Sequence, residues 1–380
     1  MMEIVFWAAV GLVVYVYAGY PLLLLIWARL RPRAHRVDPN ALPPVSIVLA
    51  ARNEAARLPG RLENLLALDY PPDRMEIVVV SNGSTDRTAQ AVAPYLTPHS
   101  FELTFGGTRR RRADVRLIDL ETAGKADALN AGVAASRHEV LVFADARQRF
   151  ARNTVRQLVR NFADPAVGAV SGELVLDCEL GKGDSTIADE VGTYWRYEKF
   201  IRRLESRIDS MVGATGAVYS MRRAFWRDLP SGTLLDDVLA PMRVVLGGGR
   251  VVLDETARAF DVTAADAETE ARRKTRTLAG NYQLAALEPR LLVPGLNRVW
   301  LQFWSHKLGR LLVPYALVAL FVASAVLAPG RPFYIAATAA QVLFYALALY
   351  GERLERVESA AVRPASAERS RAAERKAVSA

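Results

Sequence analysis

The sequence predicts an α/β domain built on a mostly parallel sheet with helices on both faces, attached to one N-terminal and two C-terminal transmembrane helices. Three observations predict it. Between residues 45 and 144, short apolar strand-like runs alternate with amphipathic helical stretches, the pattern of a sheet covered on both faces. Residues 4–27, 311–328 and 333–350 are uncharged apolar runs, each about the length that crosses a hydrocarbon core as a helix. Much of the net charge of +9 gathers beside those runs, where basic residues are expected.

The first run has no basic residue before it, and Arg29, Arg31, Arg33, His35 and Arg36 follow it. A cleavable signal peptide has the opposite charge order and a shorter apolar core, so residues 1–36 read as a retained anchor. The two C-terminal runs are separated only by Pro329, Gly330, Arg331 and Pro332, which predicts a transmembrane hairpin over residues 310–351. Arg310 precedes it, and Arg353, Arg356, Arg363, Arg369, Arg371, Arg375 and Lys376 follow. Both flanks are therefore expected on the cytoplasmic side of an inner or plasma membrane. The predicted topology has an external N-terminus, a cytoplasmic middle, and a basic, mobile, cytoplasmic tail over 352–380. Residues 288–309, carrying Trp300, Phe303 and Trp304, are expected as an interfacial amphipathic helix in contact with membrane lipids. Cys178 is the single cysteine, which excludes an intramolecular disulfide and suits a reducing compartment. Nucleic acid is not an expected partner, because no nucleic-acid module accompanies the basic charge. Arg109 to Arg112 read as a solvated loop, or as a contact for anionic headgroups. Asn82-Gly83-Ser84 has the form of a glycosylation acceptor, without meaning in the cytoplasm.

Within the middle, residues 45–50 (VSIVLA) predict a buried strand and residues 58–68 have helical spacing. Residues 76–81 (EIVVVS) predict a second strand, broken by Asn82-Gly83, after which Ser84, Thr85 and Asp86 can cap a helix. A polar loop over 97–114 precedes a third strand at 115–120. Gly124 opens a helix through Ala135, and residues 139–144 form a fourth strand. Farther on, 167–176 reads as a strand and 187–208 as an amphipathic helix with Tyr194, Trp195 and Tyr197. Residues 213–221 form a Gly-rich turn into a strand, 233–246 contain Asp236-Asp237, and 268–283 carry a basic cluster. Ligands of such sheets sit beyond the carboxyl ends of the strands. Residues 52–54, 81–86, 124–125 and 145–147 all fall there.

The stretches VSIVLAARNE, VVVSNGSTDRT, GKADALNAG, VFADAR, GATGAVYSMRR, LLDDV and RRKTRTLAG occur in this order. In that order the chain resembles the family 2 glycosyltransferases, in their membrane-bound branch of cellulose, hyaluronan and poly-N-acetylglucosamine synthases. The resemblance covers residues 44–283 and the flanking membrane segments. It implies a GT-A fold over 44–287, Rossmann-like, that takes a sugar from a nucleotide-diphosphate sugar with inversion at the anomeric carbon.

The resemblance places Ala51 and Glu54 beside the donor nucleoside, although Glu54 also reads as a helix-start carboxylate. Asn82 stands where relatives have Asp accepting from a uracil N–H; a uridine donor is the expectation, and an Asn-Gly turn explains the residue nearly as well. Gly124-Lys125 opens a helix, so its amides and one ammonium suit a diphosphate; no Ser or Thr follows, which excludes a nucleotide-hydrolase P-loop. Asp236-Asp237 matches the acidic pair whose second member, Asp237, is the general base, or else forms an acidic helix start. Arg272, Arg273, Lys274 and Arg276 match the basic part of a motif that ends in tryptophan; Arg273 and Arg276 would meet the departing diphosphate, or else the cluster is a basic flank near the membrane. Thr277 takes the tryptophan's place, which argues against long-chain synthesis. Gly213, Thr215, Gly216 and Thr277 fall on the acceptor side. Asp145 is the expected ligand of Mg²⁺ or Mn²⁺, since a metal arriving with substrate phosphates needs only one or two protein carboxylates. Arg147 replaces the second carboxylate; it either neutralises phosphate itself or points away. The expected acceptor is a lipid-linked glycan or a lipid. The alternatives are a polysaccharide synthase that exports through a partner subunit and a non-catalytic nucleotide-sugar scaffold.

Overall fold

Runs of Val, Ile and Leu with turn-forming residues at each end become strands because branched side chains pack well on a pleated surface. The computed structural model describes residues 1–96, 102–105, 108–121, 124–176, 186–261, 267–351 and 353. Its strands are β1 (Val45–Ala51), β2 (Met75–Asn82), β3 (Glu102–Phe105), β4 (Thr108–Arg111), β5 (Asp114–Leu120), β6 (Val140–Asp145), β7 (Arg149–Phe150), β8 (Val167–Leu176), β9 (Val218–Arg222) and β10 (Arg250–Asp261). Eight of them form one sheet in the order β5-β2-β1-β6-β9-β8-β10-β7. β1 runs parallel to β2 and β6, β2 to β5, and β8 to β10, while β9 lies antiparallel between β6 and β8. The carboxyl ends of β1, β2, β5, β6, β8 and β10 therefore share one edge, and β9 begins there, with Val218 opposite Ala144.

Two apolar layers hold the sheet. Leu58, Leu62 and Leu65, at the spacing of one helix face, pack with Val155 and Leu158 on one side. Leu129, Val133, Leu239 and Phe303 pack on the other. Gly132 lets the helix Lys125–Ala135 approach closely, since a Cβ there would lie 2.5 Å from Val48 Cγ1. These elements belong to a unit of Tyr20–Thr263 and Ala279–Leu308; a second unit comprises Met1–Gly19, Ala264–Leu278 and Gly309–Ala380.

In the second unit Phe6 packs edge-on against Tyr334 at 5.2 Å, Trp7 stacks on Phe333, and Arg331 pairs with Glu3. Among the described residues three helices are long and apolar enough to cross a membrane, Met2–Leu30, Trp300–Leu327 and Pro332–Gly351.

The mostly parallel sheet and the flanking apolar helices match the expectation. Three details differ. β10 was not anticipated, because its arginines and acids interrupt the apolar pattern of VVLDETARAF. The predicted loop at 97–114 contains the β3–β4 hairpin. Residues 288–309 are not one amphipathic helix. A 3₁₀ turn at Pro289–Leu292 is followed by irregular chain, and helix resumes at Trp300. Leu291, Val299 and Phe303 are fully buried in the protein core. Cys178 and the tail beyond Arg353 lie outside the described residues.

Candidate active site

The shared strand edge collects the polar residues. At the end of β1, Ala51 pairs with Ser81 across the sheet. Asn53 adopts the left-handed conformation (φ 56°), which Asn tolerates better than most side chains. Its Oδ1 accepts from the Thr85 amide at 2.8 Å, and its own amide donates to Ser84 Oγ at 3.2 Å. The loops after β1 and β2 are thus bound to one another. Glu54 pairs with Arg57 at 2.8 Å and lies ahead of the helix Leu58–Leu66, whose first turn carries no acidic residue. Asn82 is buried, and its Oδ1 has no hydrogen-bond partner among the described residues. A buried acceptor left unpaired is costly and is therefore suited to receive a ligand N–H.

The charged centre lies beside this floor. Gly124 caps the helix Lys125–Ala135, its amide bound to Asp127 Oδ2 at 2.9 Å. Lys125 Nζ stands 3.3 Å from Asp145 Oδ1 and 3.3 Å from Asp236 Oδ2. Burial works against the ammonium, but Asp145, Asp236 and Asp237 together outweigh it and hold its pKa above the ordinary value. Asp236 opens the helix Asp236–Leu246 and is 3% exposed. Burial raises its carboxyl to about 6, with Asp237 and Asp145 adding and Lys125 opposing. Asp237 packs on the turn 213–216, where Ala214 N donates to its carbonyl at 2.7 Å. A Cβ at Gly216 would lie 2.9 Å from Asp237 Oδ2. Thr215 is buried and bonded to Ser171 and Arg202.

Residues 46–229 match the family described as Glycosyl transferase family 2. The poly-beta-1,6-N-acetyl-D-glucosamine synthase of Staphylococcus aureus is 28% identical over 138 residues, 36% of this chain and 30% of that protein. Its namesake in Staphylococcus epidermidis is 29% identical over 130 residues, 34% of this chain and 28% of that protein. These matches span less than a third of the relatives' own length. The mannosyltransferase PcManGT from Pyrobaculum calidifontis, solved with GDP-Man and Mn²⁺, shares the fold across both chains. Its TM-score is 0.71, with 24% identity over 92% of this chain and 93% of that one. Residues 46–229 are a family 2 glycosyl transferase domain.

In this family 2 domain the arginine after Asp145 has a definite place. Arg147 pairs with the buried Asp261 carboxylate at the end of β10, and Gln148 Nε2 donates to the same oxygen at 2.8 Å. Of the two expectations for Arg147, the side chain follows the second and turns to a protein partner. Among the described residues no group of three or more His, Cys, Asp or Glu side chains converges as a ready-made metal cage. What the site holds is three carboxylates around one ammonium, with Asp145 the more exposed of the two that touch it. That surplus of negative charge fits a divalent cation entering with an anionic diphosphate.

Sequence reasoning missed Arg61, a fully buried guanidinium whose Nε donates to the Asp145 carbonyl at 3.0 Å and which lies over the Phe150 ring. Burial lowers its pKa to about 9. The available signal was an arginine inside the apolar stripe of Leu58, Leu62 and Leu65. Tyr219 was missed as well. Its buried phenol is pushed well above the usual value by burial and then by Asp236, Asp237 and Asp145. Arg273 is half-buried, and Arg276 and Thr277 are exposed, on the helix Ala267–Leu287, in the part of it that belongs to the unit of Met1–Gly19, Ala264–Leu278 and Gly309–Ala380.

Proposed function

We propose that the chain is an inverting glycosyltransferase that moves a single sugar from a UDP-sugar to a glycan or lipid-linked acceptor at the cytoplasmic face of a membrane. The observation that carries this reading is the meeting of Asp145 and Asp236 on the Lys125 ammonium, with Asp237 adjacent on the turn 213–216. Lys125 and the amides at its helix start hold the diphosphate, and Asn82 Oδ1 takes the base N–H. Asp145 holds Mg²⁺ or Mn²⁺, which when bound supplies charge neutralisation to the leaving diphosphate. Arg273 and Arg276 are a second source of positive charge for that group. Asp237 accepts the proton of the acceptor hydroxyl as its oxygen bonds to the anomeric carbon. The bond from that carbon to the diphosphate breaks on the opposite side, and the diphosphate leaves with the electron pair. Gly213, Thr215, Gly216 and Thr277 form the acceptor side.

The runner-up is a processive synthase, favoured by the names of the staphylococcal relatives. Thr277 in place of an aromatic platform favours single transfer. The test is turnover of UDP-sugars by the full chain in detergent or nanodiscs, with product length read by mass. Asp237→Asn is expected to lose acceptor-dependent transfer by about a hundredfold or more while keeping UDP affinity. Full-rate transfer by that variant ends the reading, and a ladder of products instead of one added sugar selects the synthase.

A further inference from the structure

A buried cluster of ionisable groups, unused by the reaction described above, is bonded to the turn that packs on Asp237. His306, on the π-helical turn Trp304–Leu308, is 1% exposed. Its Nε2 stands 2.7 Å from Glu198 Oε1 and its Nδ1 2.8 Å from Glu205 Oε1. Both glutamates are buried on the helix Thr186–Ile208, two helical turns apart on one face. Tyr20 donates its phenol to the same Glu205 oxygen at 2.6 Å. All of these residues belong to the unit of Tyr20–Thr263 and Ala279–Leu308.

Buried carboxylates are costly unless they are paired and hydrogen-bonded, and apolar residues of similar volume often fill such a place with no loss of stability. Tyr20 and His306 also sit within Met2–Leu30 and Trp300–Leu327, which are apolar enough to cross a membrane. An ionisable side chain on such a helix is read first as functional. Packing alone therefore does not account for the cluster, and what it holds in place does.

It holds the turn. Glu205 Oε2 accepts from the Val212 amide at 3.2 Å. Glu198 pairs with Arg202 at 3.4 Å, and Arg202 Nη1 donates to Thr215 Oγ1 at 3.2 Å. The two carboxylates on either side of the imidazole thus reach both ends of the segment 212–215, one directly and one through Arg202. That segment clasps Asp237. Ala214 N donates to the Asp237 carbonyl at 2.7 Å, and Gly216, the next residue on, lies against its carboxylate.

We infer that His306 is a positioning residue for the general base: by bridging Glu198 and Glu205 it sets the turn 212–216, and through that turn the Asp237 carboxylate. The inference rests on the reading of Asp237 as the base. The experiment compares the full chain in nanodiscs with His306→Gln, His306→Asn and Thr215→Val, with rates counted per UDP-binding site so that unfolded protein does not register. The Gln amide takes the place of Nε2 and keeps a donor for Glu198, whereas the Asn amide takes the place of Nδ1 and keeps one for Glu205. Each is expected to lower kcat for sugar transfer about tenfold, the scale of a sub-ångström shift of a reacting group, with UDP affinity within about twofold of the parent. Thr215→Val should lower kcat further in His306→Gln but add little in His306→Asn, where the arm through Glu198 is already cut. Parental kcat in both His306 variants overturns the inference, as does a Thr215→Val effect of the same size in both. Should neither His306 variant bind UDP, Arg202→Met decides: kcat about tenfold down at parental UDP affinity supports the inference, and parental kcat overturns it. Failure of the parent reading looks different, since UDP-sugar is then never turned over or Asp237→Asn changes nothing.

Discussion

Replacing Gly216 by alanine tests whether the position of the Asp237 carboxylate governs turnover. The added methyl would sit 2.9 Å from Asp237 Oδ2, 3.3 Å from Cγ and 3.2 Å from Cβ. The Asp237 backbone cannot withdraw easily, because its carbonyl is held by Ala214 N at 2.7 Å. The side chain must yield instead. Restoring ordinary contact distances of about 3.5 Å displaces the carboxylate by about 0.5 Å. Displacing a reacting group by about 1 Å costs on the order of a hundredfold, so half that shift predicts a fall in kcat of about tenfold, or about 1.4 kcal/mol of barrier. On the proposed reading UDP is held by other residues, and its affinity is expected to stay within about twofold of the parent. The assay is initial-rate transfer at saturating donor and acceptor, with UDP titrated in parallel. Unchanged kcat in Gly216→Ala, alongside loss of transfer in Asp237→Asn, would refute the claim that this contact sets the base.

Asp236 makes stability depend on pH. Its carboxyl rises from the ordinary 3.8 to about 6 in the folded chain, so between those values the folded state binds more protons than the unfolded one. The stabilisation is complete below about pH 4 and is lost as pH rises through 6; thermal midpoints followed from pH 4 to 7 should fall, and fall less in Asp236→Asn. Arg147→Ala leaves the buried Asp261 with Gln148 as its remaining donor from that segment, and about 3 kcal/mol of stability should go. Denaturant unfolding measures that loss, and the metal requirement of turnover should stay as in the parent. Excess chelator should suppress turnover and Mn²⁺ or Mg²⁺ should restore it, with a higher metal concentration needed by Asp145→Asn. Undiminished turnover in chelator would remove Asp145 from that role.

Much of the site was legible because it lies where short apolar runs stop. Strands of Val, Ile and Leu ending at Ala51, Asn82 and Asp145 mark one sheet edge, and Gly124 marks a helix start, so local pattern alone brings these residues near each other. Arg147 was not legible. Its partner Asp261 is far away in sequence and sits on β10, whose charged residues hide its strand character. A side chain's direction depends on which distant carboxylate the topology delivers, and periodicity carries no such information. The same holds for Arg61. A buried arginine in a leucine stripe contradicts the binary pattern, and only the path of β6 shows that it holds the Asp145 carbonyl. The segment 288–309 misled in the opposite direction. Its tryptophans and leucines suit a membrane surface, but the sheet's second face needed covering, and Leu291, Val299 and Phe303 are used there.

Arg147 bears on how the site manages charge. Where a second carboxylate would have added negative charge at the strand end, this chain has a cation, yet that cation is spent on Asp261. Among the described residues Asp145 and Asp236 share Lys125 as their cation within contact distance. Had the guanidinium faced the centre, charge would have approached balance there and an incoming diphosphate could have been held by protein cations alone. With Arg147 paired to Asp261, the carboxylates at Lys125 outnumber the cation they touch until a ligand brings compensation. An anionic donor cannot supply that by itself. On the proposed reading, the arrangement favours a donor that arrives with its counter-cation, and donor affinity is expected to rise with divalent metal.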